Sequence, residues 1–235
     1  VYVAGDTTSS DFPLKDPIQA TKRGLSDATI TKIAPDGSAL LFSTYLSGDG
    51  TETGQHIVVD AEHNVYVVGN TDSTAFPTVA ALQPKYGGGT IDAFVVKLNP
   101  AGTAYTYATY LGGNGPERAY DALLDAEGNL YVVGFTGSGD FPVVNAVQAQ
   151  GAGYNDGFIT QLAPQGSTIL FSTYLGGSLE DMIWAAAFGA GGDLYVGGNT
   201  NSTNFPVANA LQPDSAGKSD AFLARVRATA DTAEK

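Results

Sequence analysis

The chain has 235 residues, 43% of them hydrophobic and only 15% charged, with 30 glycines and a net charge of −13. This is enough apolar material for a core, while the acidic balance argues against nucleic acid or anionic lipid as partner, since both call for a basic stripe. Cysteine is absent, which excludes disulfides, thiolate catalysis and cysteine-ligated metal, and two histidines are too few for a multi-histidine metal site.

The opening residues Val1-Tyr2-Val3-Ala4-Gly5 read as strand, β-branched and aromatic, and not as a secretory signal. The chain is therefore expected to begin inside a larger protein and to continue into further blades or domains. A long insert follows, holding Phe12-Pro13 and the apolar–glutamine pair Ile18-Gln19. A short helical turn is allowed there, and the insert is expected to fold back with its phenylalanine as anchor. Burial of such a ring contributes roughly 1.5–3 kcal/mol.

Asp27 then starts a strand, and Ala34-Pro35-Asp36-Gly37 is a turn in which proline fixes one corner and glycine ends it. Leu40, Phe42, Thr44 and Leu46 share one face of the next strand, a period of two. Ile57-Val58-Val59-Asp60 is a further strand, closed by a tight turn before Val65-Tyr66-Val67-Val68-Gly69.

From this point the pattern returns. Tyr2, Tyr66, Tyr131 and Tyr195 each open Tyr-Val-x-Gly, at spacings of 64, 65 and 64. Phe-Pro recurs at Phe76, Phe141 and Phe205, and a strand-opening aspartate at Asp92, Asp156 and Asp220. Tyr45, Tyr110 and Tyr174 mark the end of the first three copies. Such periodicity is the mark of repeat architecture. With the strands of a copy lettered A to D, the first copy lacks A and the last lacks D.

The expected fold is all-β. It is a β-propeller-like arc of four-stranded antiparallel blades, about 64 residues per repeat, with incomplete blades at both ends. One sheet with two apolar faces cannot bury both alone, and radial stacking solves this. The expected divisions of this single repeat region are a partial blade at 1–48, blades at 55–111 and 119–175, a partial blade at 183–227 and a polar tail at 228–235. No apolar run reaches roughly 18 residues, so no helical membrane span is expected.

Asp125-Ala126-Glu127-Gly128-Asn129-Leu130-Tyr131-Val132-Val133-Gly134-Phe135-Thr136, followed by Phe141-Pro142 and later by Ser172-Thr173-Tyr174-Leu175-Gly176-Gly177, resembles the bacterial seven-bladed β-propeller repeat known as the SBBP repeat. The resemblance covers essentially the whole chain. It implies a bacterial extracellular or cell-surface location, in proteins that are often large and multidomain, and it carries over no catalytic residue. Gly189 departs from the strand-A aspartate, and Ala108 stands where other copies have Ser43 and Ser172.

No catalytic or cofactor-binding residue is assigned, and metal ligands are left open. The repeated acids are Asp60 and Asp125 at the end of strand A, Asp27, Asp92, Asp156 and Asp220 at the start of C, and Glu52, Glu117 and Asp181 before A. They read first as turn caps; a bound Ca²⁺ is the alternative. His56 and His63 lack a nucleophile motif, and Met182 and Trp184 read as local core variation or, for the tryptophan, a sugar-stacking platform. The function expected is a non-catalytic binding or adhesion scaffold for a protein or ligand; the alternative is a carbohydrate-active propeller, glycan-binding or glycoside-cleaving.

Overall fold

The computed structural model describes residues 1–226; the polar tail expected beyond them lies outside the described residues. Three strands form the first sheet: β1 (Tyr2–Thr7), β2 (Asp27–Ile33) and β3 (Leu40–Leu46). Two four-stranded sheets follow: β4 (Glu52–Val59), β5 (Val65–Thr71), β6 (Asp92–Leu98), β7 (Tyr105–Leu111), then β8 (Glu117–Leu124), β9 (Leu130–Thr136), β10 (Asp156–Leu162), β11 (Ile169–Leu175). The last sheet is β12 (Asp181–Phe188), β13 (Leu194–Thr200) and β14 (Asp220–Val226). Every sheet is an antiparallel meander in chain order. No helix occurs among the described residues, and the inserts contain no helical turn.

The apolar core lies between sheets rather than within them. Successive residues of a strand face opposite sides, so Val67 packs toward Ile30 and Phe42 of the preceding sheet, and Val68 toward Leu130 and Val132 of the next. Val133 and Ile159 in turn meet Ile183 and Val196 of the last sheet. Strands β4, β8 and β12 pack against one another in sequence, which makes strand A the inner strand of each blade. Among the described residues the sheets do not close into a ring.

Strand A is longer than its apolar run suggests. It begins at Glu52, Glu117 and Asp181 and carries a β-bulge at Gln55, Tyr120 and Trp184. The bulge breaks the period of two, so the sequence alternation becomes visible only beyond it. It also explains the glycine of Tyr-Val-x-Gly. A Cβ on Gly69, Gly134 or Gly198 would run into the carbonyl of Thr53, Arg118 or Met182 on the bulged strand.

The insert does fold back on its phenylalanine. The rings of Phe76 and Phe141 are buried against Phe94 and Phe158, with centroids 4.7 and 4.8 Å apart. Tyr110 ties the loop, since its hydroxyl accepts from the Phe76 amide at 2.9 Å and donates to the Ser73 carbonyl at 2.8 Å. Tyr174 does the same for Phe141 and Ser138. The two recurring motifs, Phe-Pro and Tyr-Leu, are thus halves of one clamp. Beyond it the insert pairs with the outer strand at Lys15–Ser43, Val79–Ala108 and Val144–Ser172, covering part of an edge that would otherwise offer free hydrogen-bonding groups.

Ala108 is explained by its partner. Ser43 and Ser172 each hydrogen-bond a strand-C threonine at 2.9 Å, Thr31 and Thr160. In the middle blade Val96 and Ala108 face each other instead. Both polar groups have gone together, so neither position leaves the other an unpaired hydroxyl.

Candidate functional site on the inner strands

Most of the repeated acids build the blades. Asp60 accepts from the Asn64 amide at 2.7 Å and its side chain at 2.8 Å, and Asp125 from Asn129 at 2.8 Å in both ways. Burial acts to raise the Asp60 carboxyl, but the bonds from Asn64 and Tyr66 outweigh it and hold it below the ordinary carboxylate range. At Gly189 the ring of Tyr195 occupies the space a side chain would need. Asp27, Asp156 and Asp220 each accept two backbone amides of the preceding loop, and Asp92 accepts that of Gly87.

Glu52, Glu117 and Asp181 are sealed inside. Glu117 accepts from the Gly113 amide at 2.9 Å and from the hydroxyls of Thr136 and Ser138 at 2.6 and 2.5 Å. Glu52 has the same set in Gly48, Thr71 and Ser73, and Asp181 is held by Gly177 and Ser202. Burial pushes Glu52 and Glu117 above the ordinary glutamate value despite these donors. Among the described residues no three acidic or histidine side chains group closely enough to hold a metal ion.

The asymmetry of the molecule sits on the inner strands. His56 on β4 and Asp121 on β8 occupy the same position in successive copies, and His56 Nδ1 lies 2.9 Å from Asp121 Oδ1. The other Asp121 oxygen accepts the Ala186 amide of β12 at 2.8 Å. One carboxylate therefore joins three inner strands. Burial works to raise it, but the His56 contact and the Ala186 amide outweigh that and hold it below the ordinary aspartate value.

The bulge residues differ as well, being Gln55, Tyr120 and Trp184. The Trp184 ring stacks on Tyr120 with centroids 4.3 Å apart and planes 30° apart, and Tyr120 continues to Phe135 at 6.0 Å. Trp184 Nε1 donates to Asn199 Oδ1 at 2.5 Å. The tryptophan is 48% exposed, so it is not the core variation its alanine neighbours suggest. A bulge is a device that re-aims a side chain, and here it presents an indole face whose N–H is held by Asn199.

His63 is a turn residue with φ 67°, standing where other copies have Gly128 and Gly192. Among the described residues no serine or threonine hydroxyl is hydrogen-bonded to either histidine. The carboxylates that glycoside cleavage would use are engaged elsewhere: Asp60 and Asp125 cap turns through Asn64 and Asn129, and Glu117 is buried. Sequence reasoning missed the His56–Asp121–Ala186 bridge. The signal was present, since residues one repeat apart on strand A become neighbours around an axis.

Repeated meander sheets, cores shared between neighbouring sheets and adjacent inner strands define a β-propeller-like repeat protein. Residues 41–77 match the family model SBBP, a beta-propeller repeat. That stretch runs from the outer strand of one sheet through strands A and B of the next to Phe76-Pro77, and the match bears on the repeat rather than on a number of blades. The chain is also similar to the regulatory protein FlaEY of Caulobacter vibrioides, 27% identical over 235 residues. The alignment takes in 95% of this chain but 24% of that protein, so the chain spans about a quarter of this relative's length.

Proposed function

We propose that the chain is a non-catalytic propeller scaffold that binds a partner or ligand on its inner-strand face, as part of a bacterial extracellular or cell-surface protein. The observation that carries this is the half-exposed Trp184 stacked on Tyr120, the residue before the Asp121 that pairs with His56. Recurring acids are consumed by turns and seams, whereas these side chains differ from copy to copy, as a binding site requires and a scaffold does not. Exposed tryptophan and tyrosine are typical anchors at interfaces. The regulatory label of the Caulobacter relative agrees with a protein that acts by binding.

A glycan-binding version of this function is favoured by the same ring. An indole face with an amide, an imidazole and a carboxylate nearby suits a sugar, whose ring stacks and whose hydroxyls hydrogen-bond. The test is a glycan array and a pull-down from the native surface fraction, each run with the wild-type chain and Trp184→Ala. Binding that falls at least about tenfold in the variant, with an unchanged melting profile, supports the inner face as the site. Binding indifferent to Trp184 moves the site elsewhere and refutes the proposal.

A further inference from the structure

The seams between blades hold an arrangement that the binding function does not use. Each pairs the aspartate that opens strand C with the acid that opens strand A of the next blade: Asp27 with Glu52, Asp92 with Glu117, Asp156 with Asp181. All six are buried. In the first seam Ser47, on the connecting loop, donates its hydroxyl to Asp27 at 2.5 Å. In the other two the equivalent residues are Gly112 and Gly176, with no hydroxyl to offer.

The consequence is visible in the unpartnered atoms. Among the described residues, Asp92 Oδ1, Asp156 Oδ1 and Asp181 Oδ1 are buried without a hydrogen-bond partner, and these are the seams where the serine is missing. A Cβ placed on Gly112 would lie 2.6 Å from Glu117 Oε2 and 3.1 Å from Asp92 Oδ1, so the two carboxylates converge on that glycine. Two facing buried carboxylates, with oxygens that no donor reaches, cannot both ionise without a compensating charge.

We propose that the second and third seams each hold one proton between two carboxylates, so that the blades pack most tightly in acid and loosen as the pH rises. Among the described residues, the charged groups acting on Asp92, Glu117 and Asp156 include no cation. Asp92 faces Glu117 on β8, Tyr86 in the insert and Tyr110 on β7. Asp156 faces Asp181 on β12 and Tyr174 on β11, and Glu117 also faces Asp140 and Tyr174. Burial pushes Tyr86 up to about 12 and raises Tyr110 and Tyr174, so the phenols stay neutral. Burial, with Glu117 adding to it, likewise moves Asp92 to about 7, and Asp156 is raised by burial and by Asp181.

The sign follows from linkage. A carboxyl raised in the folded state adds stability that is complete below its unfolded value near ~4 and is lost as pH climbs through the folded value. The experiment is a set of thermal melts of the intact chain between pH 5 and 8, with EDTA and with added Ca²⁺. Wild type should melt lower as pH rises. Asp92→Asn with Asp156→Asn, whose amides donate where the protons sat, should flatten that profile and melt at least about 3 °C above wild type at pH 8. Ser47→Gly, which strips the hydroxyl from the first seam, should steepen the profile, and this arm serves even if the asparagine variant folds poorly. A flat wild-type profile, or asparagine variants that keep the wild-type slope, overturns the proposal. So does a rise in wild-type melting at pH 8 on adding Ca²⁺, which would assign the seams to a cation instead.

Discussion

Replacing Phe141 by alanine tests whether the insert clamp holds each blade. The ring is 2% exposed, lies 4.8 Å from Phe158 and 6.1 Å from Tyr174, and belongs to the core shared by the two middle sheets. Truncating a buried phenylalanine costs about 3–5 kcal/mol, part transfer and part cavity. The lower end applies, because the insert reaches the surface and can partly collapse. A loss of about 3 kcal/mol should lower the Tm by about 6–12 °C in a chain of this length. The equivalent Phe205 is only half-buried, so Phe205→Ala should cost about half as much. Urea unfolding followed by far-UV circular dichroism measures both, with fluorescence of the single tryptophan, Trp184, as a probe of the last blade. Two transitions that separate in Phe205→Ala would show blades loosening locally, as repeat stacks can. Equal losses at both positions, or none at Phe141, would refute the clamp.

Further outcomes follow from the same contacts. Tyr110→Phe removes the hydroxyl that bridges Ser73 and Phe76; it should cost about 1–3 kcal/mol and speed hydrogen exchange at the Phe76 amide. Val96→Thr and Ala108→Ser should each destabilise the middle blade alone, while the double variant restores the pair seen in its neighbours. A double-mutant cycle should give a favourable coupling of about 1 kcal/mol. Asp121→Ala leaves the Ala186 amide unpaired and should cost about 1–3 kcal/mol at pH 7. Because the Asp121 carboxyl is held below its ordinary value, that contribution is present above ~4 and disappears as pH falls through the folded value. Melts of wild type and variant should therefore converge as the pH falls below ~4.

The repeated units were legible because blade architecture speaks in local chemistry. Tyr-Val-x-Gly, the Pro–Gly turns and the alternation in strands C and D each have a near-neighbour cause, and the structure repeats them blade after blade. The first residues of strand A escaped because the bulge at Gln55, Tyr120 and Trp184 puts two consecutive side chains against one partner. Glu52 then reads as loop, although it is a strand residue with donors on β5 and in the turns around it. The bridge from His56 through Asp121 to Ala186 spans three copies, so no window within one copy could contain it. The exposure of Trp184 follows from the bulge that sets it apart, not from the Ala185-Ala186-Ala187 run beside it.

The radial stacking of blades is open to one direct measurement. The chain has no cysteine, so spin labels can be placed at will on exposed equivalent positions. One pair, Glu62 and Glu127, sits in the turns after inner strands β4 and β8; the other, Thr106 and Leu170, sits on outer strands β7 and β11. Double electron–electron resonance should return a clearly shorter distance for the inner pair, as wedge-shaped packing around an axis demands. Equal distances would mean parallel sheets stacked like cards, and would contradict the propeller account.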